Sequence, residues 1–198
     1  MKDKLSLIIL LVVFPIITFI SIYIFYQNTL KNQEEPVVHT NDISSTHYGI
    51  ESKESVDDFH MYLASEKEVY EQNEDVVMIA ELTYKGEHQK IDIFHAASPF
   101  IFNIKEETRG INIDYVMNQP LLQTTLEKDV PLQEKYEKTG GYSDQDDKEY
   151  VAFMKEFLTG KTFPKGKYAV EGVASFYIEE DGEEKTYNIK TIIRFEVK

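Results

Sequence analysis

The last stretch of the chain, Thr162 to Lys198, reads TFPKGKYAVEGVASFYIEEDGEEKTYNIKTIIRFEVK. Large apolar side chains recur at every second position on both sides of Asp181-Gly182, a dipeptide favoured in two-residue hairpin turns. Closing the chain there sets Phe176 opposite Tyr187, Ala174 opposite Ile189, Val170 opposite Ile193 and Tyr168 opposite Phe195. Each of these cross-strand pairs is apolar, which is the unit of sheet stabilisation. The other face pairs Tyr177 with Thr186, Ser175 with Asn188, Val173 with Lys190 and Ala169 with Arg194, and is expected to be the wetter one. A slip of one residue would turn a whole apolar set outward, so the register is strongly specified.

Working back from the hairpin, short alternating segments recur between turn residues. Phe59, Met61 and Leu63 share a face, and so do Val76, Met78, Ala80, Leu82 and Tyr84 before Lys85-Gly86. Ile91 with Ile93, then Phe100, Phe102 and Ile104 after Pro99, then Ile111, Ile113 and Tyr115 after Arg109-Gly110 continue the pattern. Many short strands at such spacing predict an all-β antiparallel sandwich. One segment departs from period two. Tyr150, Phe153, Met154, Phe157 and Leu158 fall at helical spacing, with cap candidates between Ser143 and Asp147 and a stop at Gly160. It predicts one short amphipathic helix crossing between the sheets.

The lead-in Phe163-Pro164-Lys165-Gly166-Lys167-Tyr168 is read as a turn that delivers Tyr168 into the following strand. This Gly-x-Tyr opening of a late strand resembles small immunoglobulin-like domains on Gram-positive cell surfaces, and more loosely the BsuPI-type proteinase-inhibitor fold. The resemblance covers roughly the last two-thirds of the chain. It implies an immunoglobulin-like sandwich and, for the second family, inhibition of a protease.

At the other end, residues 5–26 carry no charge and are rich in Leu, Ile, Val and Phe, about the length needed to cross the ~30 Å hydrocarbon core. The run leaves through Tyr23, Phe25 and Tyr26 rather than through a small-residue cleavage site, so an uncleaved anchor is expected. Lys2 and Lys4 precede it, whereas Lys31 is soon followed by Glu34 and Glu35, which predicts a cytoplasmic N-terminus (1–4) and an extracytoplasmic C-terminal part. Residues 27–55 are polar without a steady period and read as a tether, placing the start of the β-sandwich domain near Val56 (56–198). With no cysteine in the chain, anchoring by a lipid-modified cysteine is excluded. The net charge of -14 argues against nucleic acid as a partner, since like charges repel.

The candidate chemistry is sparse. There is no Gly-x-Ser-x-Gly elbow, His-Glu-x-x-His helix, phosphate-binding glycine loop or cysteine nucleophile, so an enzyme is not expected and no cofactor is implied. His39, His47, His60, His88 and His95 form no close ligand pair. Tyr136, Tyr142 and Tyr150, which flank Gly140-Gly141 in a polar stretch, are the candidate binding residues, because tyrosine-glycine loops make adaptable contacts, set against the alternative that they pack under the loop. Glu179, Glu180, Asp181, Glu183 and Glu184 at the hairpin tip are the candidate cation ligands, set against a plain solvated tip that discourages edge aggregation. The expectation is a membrane-anchored binding module of the cell envelope with a protein partner. A cation-binding surface module and an extracellular protease inhibitor are the alternatives.

Overall fold

The computed structural model describes residues 48–160 and 162–198. The expected membrane segment 5–26 and most of the expected tether lie outside the described residues. Among the described residues no helix is long and apolar enough to cross a membrane.

Among the described residues eleven strands form two sheets. The first sheet has the order β1-β2-β4-β9, from β1 (Ile50–Val56), β2 (Phe59–Ser65), β4 (Met78–Tyr84) and β9 (Leu132–Lys135). The second is built on the terminal hairpin of β10 (Gly166–Glu180) and β11 (Glu183–Val197), with β3 (Val69–Tyr70) parallel to the end of β11. On the other side of β10 lie β6 (Phe100–Glu106), carrying β7 (Ile111–Ile113), and β5 (Lys90–His95), carrying β8 (Leu122–Glu127). All pairings except β3 with β11 are antiparallel.

The hairpin has the expected register throughout, from Gly166 opposite Val197 to Glu180 opposite Glu183. Asp181 and Gly182 both have positive φ, 55° and 83°, as a type I′ turn requires. The inward set Tyr168, Val170, Ala174, Phe176, Tyr187, Ile189, Ile193 and Phe195 is buried against the first sheet. There Phe59 packs edge-on to both Phe176 and Tyr187, each at 4.8 Å. Gly172 lies on the inward side of β10, and a Cβ there would stand 2.9 Å from the Met61 terminal methyl and 3.1 Å from both methyls of Leu63. Val173 departs from expectation. It is buried on the face expected to be wetter, because its direct partners Ile101 and Lys190 flank it on both sides of the middle strand.

The lead-in turn delivers Tyr168 as expected. Its ring is fully buried beside Phe163 and Phe195, and its hydroxyl donates to Pro164 O at 2.5 Å. The helix α1 (Lys148–Thr159) links β9 of the first sheet to β10 of the second. Asp147 caps it, accepting from the Glu149 N–H at 2.8 Å, and the Gly160 N–H closes the far end on Glu156 O. The last turn contains no basic residue of its own. Lys138 supplies the missing charge, its Nζ donating to the carbonyls of Phe157, Gly160 and Thr162 at 3.0, 3.1 and 2.6 Å, over the rings of Phe157 and Phe163.

Three boundaries differ from the sequence reading, the first being β4, which begins at Met78 and leaves Val76 outside the sheet. Strand β1 begins at Ile50, inside the stretch read as tether, because Lys53, Glu54 and Ser55 pair through their backbones with β2 while their side chains stay in water. Strand β7 ends at Ile113, leaving Tyr115 outside the sheet.

Candidate functional site

β5 and β6 follow one another along the same edge of β10 without meeting. The β6 ladder ends at Ala174 opposite Phe100, and β5 resumes at Tyr177 opposite Phe94. Between them the chain turns through residues 96–99, and the Ser175 N–H is satisfied by Pro99 O at 2.8 Å. A groove of about 350 Å³ opens at this break. Its floor on the outer face is Phe94, Ile101, Ser175, Tyr177 and Thr186, and at the gap it reaches His95, Ser98 and Phe176. Met117, Gln119, Pro120 and Leu121 from the β7–β8 connection form the wall, which is tied to the break by the Ala97 N–H on Asn118 O at 3.3 Å.

The groove is mainly apolar, with a few fixed polar groups, the usual constitution of a ligand site. Phe94 and Tyr177 stack at 4.9 Å with their planes 14° apart. Val116 and Leu121 beside it are 60% and 68% exposed, large apolar side chains left in water. No lining residue is an Asp, Glu, Lys or Arg.

Its polar groups are held by bonds of their own. His95 Nδ1 lies 2.9 Å from Ala96 O, so it carries the hydrogen, and Nε2 accepts from Thr124 Oγ1 at 2.8 Å. Burial lowers the His95 pKa below its ordinary value, against the opposing pull of the Ala96 bond. Thus the imidazole ties β5 to β8. Ser98 Oγ donates to Glu134 Oε2 at 2.8 Å, and Glu134 sits on β9 opposite the buried Ala80. Burial raises the Glu134 pKa, with Glu137 adding to the effect and the Ser98 bond opposing it. This inward-pointing acid on an edge strand also discourages further strand addition. The arrangement suits non-covalent binding, since the hydroxyl and imidazole groups nearest the groove are engaged in holding strands together.

The three candidate tyrosines do not form one surface. Tyr136 is buried, 6% exposed, among Phe102, Tyr115 and Phe163, so its reading as an exposed contact residue is corrected. A polar neighbourhood in sequence hid a core residue. Tyr142 is 42% exposed with Lys155 Nζ 5.6 Å from its ring centre, and Tyr150 donates to Gly141 O at 3.1 Å. Tyr142 belongs to the loop that leads into α1, and Tyr150 stands in the first turn of α1 itself.

At the hairpin tip Glu179 faces Glu184 and Glu180 faces Glu183, as expected. Glu179, Glu180, Asp181, Glu183 and Glu184 are all exposed. Among the described residues no three His, Cys, Asp or Glu side chains converge as metal ligands. His60 bonds Ser55 Oγ through Nδ1 at 2.8 Å and belongs to the β1–β2 pairing.

The groove itself was missed, though a signal existed. The chain has no Asp, Glu, Lys or Arg between Asp92 and Lys105, nor between Asp114 and Glu127, and both uncharged runs converge on the groove. In a chain with 28% charged residues such gaps mark surface kept free of charge.

Comparison with protein-family models finds no match, and comparison with curated proteins finds none. Among solved structures, a protein from Archaeoglobus fulgidus is similar at 12% identity, covering 75% of this chain and 94% of that one. The TM-score of 0.31 is too low for the likeness to carry any argument.

Proposed function

We propose that this chain is a membrane-anchored, extracytoplasmic binding module of the cell envelope, with an immunoglobulin-like sandwich as its scaffold and the groove at the β5–β6 break as its contact surface. One observation carries the reading. A protein of net charge -14 leaves an apolar, uncharged groove open on the outer face of its larger sheet. Rigid strands hold its floor, and a loop anchored at Asn118 forms its wall, the common division of labour between scaffold and recognition segment. The anchor rests on the uncharged residues 5–26 and on the lysines at 2 and 4. A partner polypeptide suits the groove better than nucleic acid, whose phosphates the surrounding charge would repel.

Protease added to intact protoplasts tests the placement. The β-domain should be digested from outside. Its survival until the cells are lysed would reverse the orientation and remove the envelope from the reading.

A further inference from the structure

We propose that the groove receives an extended segment of a partner polypeptide in which an apolar side chain and a Lys or Arg stand two residues apart. This rests on the groove being the contact surface and adds the chemistry of its occupant.

The apolar half follows from the floor. Phe94 and Tyr177 present a stacked aromatic platform beside Ile101, an arrangement that takes an aliphatic or aromatic side chain. The basic half follows from what stands next to the platform. Residues two apart on a strand share a face, so Glu179 follows Tyr177 and Glu184 precedes Thr186 on the outer face of the hairpin. Those two glutamates are direct cross-strand partners, and like charges so placed repel. Among the described residues neither makes an ion pair. Lys185, between Glu184 and Thr186 in sequence, turns to the opposite face and binds Asp57 at 3.0 Å. A cation from a partner relieves the repulsion that the chain leaves unrelieved.

The spacing follows from strand geometry. Two residues of extended chain advance about 6.6 Å, the same step that separates Tyr177 from Glu179 along β10. A segment running along the hairpin with its apolar side chain on Tyr177 therefore sets its next same-face side chain at the glutamate pair. Charge complementarity of this kind steers encounter and fixes register, while the aromatic contact supplies most of the affinity.

The test is selection of a phage-displayed library of random dodecapeptides on the purified full-length chain, followed by titration of the enriched sequences as synthetic peptides. Enrichment of an apolar residue two positions from Lys or Arg is expected. Affinity should fall about tenfold or more in Phe94→Ser or Tyr177→Ser, each checked for folding by circular dichroism. It should fall about three- to tenfold in the double variant Glu179→Gln, Glu184→Gln, whose exposed sites carry no folding risk. Neutral or acidic peptides that lose binding in the Phe94 and Tyr177 variants would overturn the basic occupant and leave the groove as contact surface. Basic peptides that bind those variants as well as the parent would overturn both, showing only general attraction to an acidic protein. Failure to enrich any peptide, with soluble chito-oligosaccharides binding in a Tyr177-dependent way, would replace the polypeptide by a glycan and overturn the proposal; failure to enrich without such binding would overturn the polypeptide occupant outright.

Discussion

Phe94 and Tyr177 stack with ring centres 4.9 Å apart at the register position where β5 meets β10, while Phe176, the next residue back, points through the sheet onto Phe59 and Tyr187. Adjacent aromatic residues on one strand thus serve different ends. Phe176 holds the two sheets together, and Tyr177 completes a platform on the outside.

The two should separate cleanly by truncation. Phe176→Ala is expected to cost ~3 to 5 kcal/mol of stability, the range for a buried phenylalanine. Tyr177→Ala should cost about 1 kcal/mol, the order of an exposed aromatic pair. Chemical denaturation of both variants checks this, and equal losses would mean that the outer face is as deeply covered as the inner one.

Tyr136 offers a test of the corrected core. Its hydroxyl is buried without a well-formed hydrogen bond, approached only loosely by the Thr139 backbone N–H, and a poorly paired buried polar group carries a desolvation cost of about 1 to 3 kcal/mol. Tyr136→Phe keeps the ring among Phe102, Tyr115 and Phe163 and should leave the midpoint of thermal unfolding unchanged or raise it. A marked drop would reveal a partner for the hydroxyl.

Much of the fold was legible in the sequence, and the exceptions share a cause. The hairpin could be read residue by residue because one face of each strand is buried along most of its length, so period two is imprinted on the side chains. β1, β8 and β9 read IESKESV, LQTTLE and LQEK, strands on sheet edges whose side chains are mostly exposed or half-buried. Backbone pairing holds them, and it leaves no hydrophobic period to find. The groove was hidden for another reason. Its parts come from Phe94, Ile101, Leu121 and Tyr177, which only the non-consecutive order of β5, β6 and β10 brings together.

Lys138 is expected to be the main fastening at the end of α1. Lys138→Met keeps the aliphatic stem over Phe157 and Phe163 but leaves the carbonyls of Phe157, Gly160 and Thr162 without their donor. A loss of about 2 to 3 kcal/mol follows from removing charge-assisted bonds, and faster amide exchange should begin in residues 156–160. An unchanged exchange pattern would show that the helix ends without help.

Two carboxylates should respond to pH in opposite senses. Burial alone would raise the Glu106 pKa, but the Thr108 hydroxyl, the N–H groups of Arg109 and Thr108, each 2.8 Å away, and the Arg109 guanidinium at 3.2 Å together outweigh it and hold the pKa below its ordinary value. Its stabilising contribution is therefore present above the unfolded value and is lost as pH falls through the folded one. Glu134 is raised by burial, so its contribution is present below its unfolded value and is lost as pH rises through the folded one. Relative to the parent, Glu106→Gln should be increasingly destabilising as pH rises from acid to neutral, and Glu134→Gln increasingly stabilising. Thermal unfolding across that range reads both slopes, and a shared sign would contradict the assigned environments.

The most direct test of the groove as contact surface is photocrosslinking in intact cells, with a benzophenone amino acid placed at Leu121 on the groove wall or at Gln133 on β9 of the other sheet. A discrete adduct from Leu121, absent from Gln133 and lost when Tyr177→Ser is added, is the predicted result. An adduct from Gln133 alone, or one from Leu121 that Tyr177→Ser leaves intact, would contradict the account.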